Sequence, residues 1–150
     1  MAGFIDGEGC ISMYAHKHSQ YPDKVYMRPY VKVGLSLPGK EVIDSLYANF
    51  GGYLHHRKVD NPNWSDSISW TIQGKKPVRK FLQNLVNHLI IKKEQAKFVI
   101  WCIDNAVGKH LPNGVKIFID SELKAMKRDP QRLSDRAVEI LKKDYPEYFD

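Results

Sequence analysis

The sequence predicts an α+β domain, with an αββαββα core whose four-stranded antiparallel sheet carries helices on one face, and extra helices after it. Three observations lead there. Runs of period-two hydrophobic alternation come in pairs, turn residues separate the members of each pair, and stretches of helical spacing precede, divide and follow the pairs. The chain of 150 residues is long enough for one domain with a substantial core. That domain is read as 1–150, with the core over about 1–105 and a helical extension over about 115–150.

The elements follow in order. Met1, Ala2, Phe4 and Ile5 are helix-like, and Gly7 and Gly9 mark the stop. In CISMYAHKH, Ile11, Met13 and Ala15 alternate with Cys10, Ser12, Tyr14, His16 and His18, the pattern of a half-buried strand. HSQYPDKV, with Pro22 and Asp23, reads as a turn. YVKVGLSL is the second strand, with Val31, Val33, Leu35 and Leu37 on its inner face. Pro38 and Gly39 break it, and KEVIDSLYANFGG sets Val42, Ile43, Leu46, Tyr47 and Phe50 at helical spacing before Gly51 and Gly52 end the helix.

YLHHRKV and DSISWTIQ are the third and fourth strands, divided by the turn signal DNPN. In the fourth, Ile68, Trp70 and Ile72 alternate with Ser67, Ser69, Thr71 and Gln73. Gly74 ends it, and Pro77 fits the first turn of PVRKFLQNLVNHL, whose stripe is Val78, Phe81, Leu82, Leu85 and Leu89. KKEQAKFVIWCID is a further helix using Ala96, Val99, Ile100 and Ile103. After the loop GKHLPNG, amphipathic segments cover about 115–128 and 134–143.

The outward face of such a sheet carries Ser12, Tyr14, His16, Tyr30, Lys32, His55, Arg57, Ser67, Ser69, Thr71 and Gln73. These are donors, acceptors, cations and aromatics with no carboxylate, in a chain that has 17 Asp and Glu against 23 Lys and Arg and a net charge of +6. Side chains of that kind can read base edges, and a major groove is wide enough to admit a β-ribbon. A merely solvated face would carry its share of acids, so the face is read as a nucleic-acid surface.

Other classes are excluded. Cys10 and Cys102 are the only cysteines, which makes a disulfide framework or a zinc ribbon unsuitable and suits an intracellular setting, in a bacterial or phage-infected cytoplasm or an organelle. No apolar run has the length of a membrane span. GLSLPGKE matches the G-x-x-x-x-G-K phosphate loop in spacing, but Glu41 stands where Mg²⁺ needs a hydroxyl, and Pro38 removes a backbone N–H. The histidines include no H-E-x-x-H, and His55 and His56 are strand neighbours pointing to opposite faces.

At its start, MAGFIDGEG resembles the signature of the LAGLIDADG homing endonuclease family. Ala2, Gly3, Ile5, Asp6 and Gly9 match it, while Met1, Phe4, Gly7 and Glu8 are conservative variants, and the downstream αββαββα order is also the family's. IIKKEQAKFVI resembles the family segment in which a lysine reaches the active site ahead of a Gln-Ala pair, here Gln95-Ala96. Counted that way the lysine is Lys92, with Lys93 as the neighbour off by one.

The resemblance implies a saddle-shaped sheet and a homodimer, because the chain has one motif. Ala2 and Gly3 would let the motif helices of two copies approach, with Asp6 in the same interface as a structural residue bonding the following turn. Glu8 would be catalytic and a ligand of Mg²⁺ or Mn²⁺, with the Gly7 carbonyl beside it. Lys92 would act on developing negative charge. The partner implied is double-stranded DNA, cut at the centre of a long pseudo-palindromic site, as in intron mobility. The alternative is an RNA-splicing maturase with intron RNA as partner, or a non-cleaving DNA-binding protein. The family's polar group near the end of the second strand falls on Leu35 here, leaving Lys40 to supply charge and Ser36 to hold water.

Overall fold

The computed structural model describes residues 1–17, 20 and 25–149. The predicted order is the observed one: α1 (Ala2–Glu8), β1 (Gly9–Lys17), β2 (Val25–Ser36), α2 (Lys40–Phe50), β3 (Tyr53–Arg57), β4 (Ser67–Gln73), α3 (Lys75–Leu85) and α4 (Lys93–Asn105). Two further helices follow, α5 (Asn113–Arg128) and α6 (Ser134–Asp144). The strands form one antiparallel sheet in the order β1-β2-β4-β3. The turn expected over HSQYPDKV, and the end of the first strand at His18, lie outside the described residues except for Gln20 and Val25.

Period-two alternation puts Ile11, Met13, Met27, Val31, Val33, Ile68, Trp70 and Ile72 on one side of the sheet, all buried. The helices supply Ile43, Leu46, Val78, Phe81, Leu82, Phe98, Val99, Cys102 and Ile103 to the same core. At its centre the Trp70 ring tilts against Phe81 at 5.4 Å and Phe50 at 6.3 Å. Its indole N–H donates to the Gly51 carbonyl at 2.6 Å, so the core is tied to the α2–β3 turn. Burial pushes the Cys102 thiol far above its ordinary range, which keeps it an inert core group. Among the described residues no helix is long and apolar enough to cross a membrane.

Three boundaries differ from expectation. β2 starts at Val25 rather than Tyr30, because Met27 and Pro29 continue the buried alternation. Pro29 lacks an N–H, but its carbonyl accepts the Gly74 N–H at 3.0 Å, so the strand tolerates it there. Leu37 does not join the inner face; it enters a short 3₁₀ turn (Leu37–Gly39) whose first N–H donates to the Asp66 carbonyl, and its side chain is exposed. α3 begins two residues before Pro77, directly after Gly74.

The C-terminal helices are docked by carboxylates. The Glu94 side chain on α4 is buried and accepts the Ser134 N–H that opens α6, at 3.2 Å. Glu122 on α5 takes two hydrogen bonds from the Arg132 guanidinium, at 2.6 and 2.9 Å, fixing the α5–α6 turn.

Trp70→Phe keeps an aromatic ring but orphans the Gly51 carbonyl. We expect a loss of about 1–3 kcal/mol, read as a lower urea midpoint with an unchanged m-value, and Trp70→Ala to cost more than Trp70→Phe.

Candidate functional site

The α1–β1 junction is built around one glycine and one acid. Ile5 is buried and anchors α1, and the chain turns from helix into strand at Gly9. A Cβ at Gly9 would lie 2.8 Å from the Ile5 carbonyl oxygen, so only glycine allows so tight a helix-to-strand step. Asp6 is only 8% exposed, and its carboxylate accepts three successive backbone N–H groups: Ile90 at 2.7 Å, Ile91 at 3.1 Å and Lys92 at 2.9 Å. These amides lead into α4, so they form a nest at the positive end of that helix. The Lys92 ammonium returns the contact by donating to the Asp6 carbonyl. Gln95, buried, donates to the Ile11 carbonyl at 3.2 Å and ties α4 to β1.

Glu8 and Lys92, remote in sequence, are thereby held at one junction, with Glu8 and Gly7 exposed to solvent. Of the two candidate lysines it is Lys92 that reaches α1, while Lys93 opens α4 and is exposed. Asp6 departs from expectation in its partners. Its carboxylate bonds not the turn that follows it but the loop that leads into α4, with both oxygens used.

Ala2 is half-buried against the core, whereas Gly3 is exposed. A Cβ at Gly3 or Gly7 would meet nothing within 4 Å. Beside this face the loop held by Asp6 turns Ile90 and Ile91 outward, 84% and 50% exposed.

On the outer face the register sets the expected residues in rows. Ser12, Tyr30 and Gln73 form one row; Cys10, Lys32, Thr71 and Tyr53 the next; then Gly34, Ser69 and His55; then Ser36, Ser67 and Arg57. Tyr14 stands opposite Arg28, and His16 falls opposite Tyr26 in register, though its side chain lies outside the described residues. No carboxylate occurs in any row. The Tyr14 hydroxyl donates to the Gln73 carbonyl oxygen at 3.1 Å, and the Tyr14 and Tyr30 rings lie 5.9 Å apart. Burial, and then the neighbouring Cys10, raise the Tyr30 phenol above its ordinary value, which keeps it a neutral donor. Arg28, Tyr26 and Tyr53 belong to these rows but are missing from the sequence reading. Extending the alternation upstream through Pro29 would have found the first two. Lys40 is paired with Asp44, so its charge is already engaged.

Among the described residues no three His, Cys, Asp or Glu side chains converge. The donors at the junction are a solvent-facing carboxylate and the carbonyls at the end of α1, hard oxygens of the kind Mg²⁺ takes, at the negative end of a helix. They fit a hard divalent cation whose remaining ligands come from outside the chain.

An antiparallel sheet whose described outward rows carry no carboxylate, with a helix at its rim that holds a solvent-facing acid and is contacted by a lysine, defines a distinct class of α+β protein. The chain belongs to the LAGLIDADG endonuclease family, whose model matches residues 1–105. Solved structures share its fold. The homing endonuclease I-CvuI in complex with the I-CreI target is 22% identical, with a TM-score of 0.67, over 95% of this chain and 90% of that one. The archaeal intron-encoded homing endonuclease I-Vdi141I, complexed with DNA, is 20% identical, with a TM-score of 0.64, over 95% and 92%. I-GzeII with its DNA target is 19% identical, with a TM-score of 0.58, over 99% of this chain but 48% of that one. No curated protein matches the sequence.

Asp6→Ala should unlock the loop before α4. The expected result is a loss of about 2–4 kcal/mol together with faster amide hydrogen exchange at Ile90, Ile91 and Lys92, with Asp6→Asn intermediate in both.

Proposed function

We propose that the protein is a site-specific, divalent-metal-dependent double-strand DNA endonuclease that acts as a homodimer. The observation that carries this reading is the solitary, solvent-facing Glu8 beside the fixed Lys92. With Asp6 committed to the chain's interior, Glu8 is the acid of α1 left to serve a metal, and a second carboxylate has to come from a second copy.

Two observations support the pairing. Glycine inside a helix costs about 1 kcal/mol relative to alanine, and nothing among the described residues requires it at Gly3 or Gly7. Both are accounted for by the close approach of another helix, and Ile90 and Ile91 add apolar surface beside them.

DNA as substrate is supported by the acid-free face and by the relatives, which were solved on DNA targets, I-CvuI in the presence of Mg in one structure and of Ca in another. The sheet would lie in the major groove of each half-site, its rows of hydroxyl, amide and cationic groups meeting base edges. A divalent cation held by Glu8 with the Gly7 carbonyl, Mg²⁺ or Mn²⁺, would supply Lewis-acid stabilisation of the phosphoryl group and lower the pKa of a water. Glu8, at the helix end, orients what binds there. Lys92, with its backbone N–H on Asp6 and its ammonium on α1, places a positive charge where negative charge develops as the bond breaks.

The test uses a target selected by binding from a randomised duplex pool. Glu8→Gln should lower the cleavage rate by about 100-fold or more while leaving duplex affinity within a few-fold of wild type. Chelation should stop wild-type cleavage, and added Mg²⁺ or Mn²⁺ restore it. Undiminished cutting by Glu8→Gln would sink the assignment.

A further inference from the structure

At the end of the sheet remote from Glu8, the Gly74 step joins β4 to α3 beside the start of β2. Here Tyr26, Met27, Arg28, Pro29, Gly74 and Lys75 line a groove of about 250 Å³. Three features set this groove apart from the rest of the outward rows, to whose far end Arg28 belongs.

The first is Arg28. Among the described residues its Nε is the only buried polar side-chain atom without a hydrogen-bond partner, and no ion pair there involves its guanidinium. A buried guanidinium nitrogen with no acceptor is costly unless something from outside completes it. The second is the company it keeps. Its terminal nitrogen reaches to 3.9 Å from where a Cβ on Gly74 would stand, next to Lys75 and Lys76, neither of which has an acidic partner among the described residues. The third is the start of α3, an 11-residue helix with no acid in its first turn and no side-chain cap at Gly74. Helices ordinarily place an acid or a hydroxyl there, and this one places lysines.

We propose that Arg28 and Lys75 form a phosphodiester-binding subsite that clamps the DNA backbone at the outer end of each half-site. The inference rests on the endonuclease reading and adds a position to it. Arg28 lies opposite Tyr14, six residues along β1 from Glu8. At about 3.4 Å per residue that is about 20 Å along the strands. At about 3.4 Å per base-pair step, the clamped phosphate lies about six steps from the cut. The guanidinium takes the two non-bridging oxygens of one phosphate and the ammonium an oxygen of its neighbour, contacts that fix register and orientation but read no sequence.

The experiment measures affinity for a 30-bp duplex of arbitrary sequence against salt concentration, since phosphate contacts are sequence-independent. The double variant Arg28→Gln/Lys75→Gln is compared with wild type and with Lys142→Gln/Lys143→Gln on α6, which loses the same charge. Far-UV circular dichroism and melting establish folding, and Lys75→Gln alone, at an exposed position, carries half the effect if the double variant is unstable. The slope of log affinity against log salt should become shallower by about 2 in the Arg28/Lys75 variant and by less than half of that in the α6 variant. An unchanged slope, or an equal change in both variants, overturns the subsite while leaving the endonuclease reading standing. Failure of the wild type to bind any duplex removes that reading and the subsite with it.

Discussion

The contact on which the arrangement depends is a carboxylate against a row of amides. Asp6 takes three N–H groups in succession, and Lys92 donates back to the same residue's carbonyl. Bonds between an ionised acceptor and backbone donors are worth about 1.5–3 kcal/mol each when the alternative is a buried charge left bare. Several together can order a loop that has no regular structure of its own. α1 has seven residues, two of them glycines, and ends at a third, so it cannot persist by helical propensity. It is held by the burial of Ile5 on one side and by Asp6 on the loop before α4. Once those are fixed, Glu8 has no freedom to face inward. Residues two apart on a helix lie about 200° from each other, and the inward direction is already taken by Asp6.

That geometry puts two similar acids, two residues apart, in opposite surroundings. Asp6 is surrounded by donors and Glu8 by solvent. The same division explains why the glycines of the signature are unequal. Gly9 is demanded by the chain itself, since any side chain would strike the Ile5 carbonyl. Gly3 and Gly7 are demanded by nothing within it. A residue whose cost is not recovered internally directs attention to what lies outside. Here it lies on the same side as two isoleucines that a buried acid has turned to the surface.

What the sequence made legible was whatever repeats at short range. β1 and β4 could be read from alternation, and the outer face followed because every second residue of a paired strand shares a side. Starting β2 at Tyr30 leaves out the segment 25–29, although the strand runs through Pro29, whose carbonyl still pairs with the Gly74 N–H. Arg28 was lost with it. The role of Asp6 was half legible. An acid beside a helix end was recognised as a structural hydrogen-bonding residue, but its partners lie more than eighty residues on, and no local pattern encodes a contact of that range. Lys92 and Lys93 could not be separated by counting, and the fold separates them because one is the N-cap of α4 and reaches back to α1.

α4 is the hub through which the rest of the chain bears on this junction. Its entry loop is gripped by Asp6, its Gln95 bonds the β1 backbone, and its Glu94 receives the first N–H of α6. The same physical device thus appears twice, a carboxylate from one helix satisfying amides at the start of another. The second instance lies in a segment beyond the residues the family model covers. A buried Glu94 without Ser134 would be an acid lacking an acceptor's full complement of donors, with Lys97 at 3.3 Å as its remaining charged neighbour. α6 and the Arg132–Glu122 turn that sets its entry are therefore part of what fixes the first turn of α4. Any rotation of that turn would move Lys92 relative to Glu8. Through Glu94 the C-terminal helices are thereby tied to the helix that Lys92 caps.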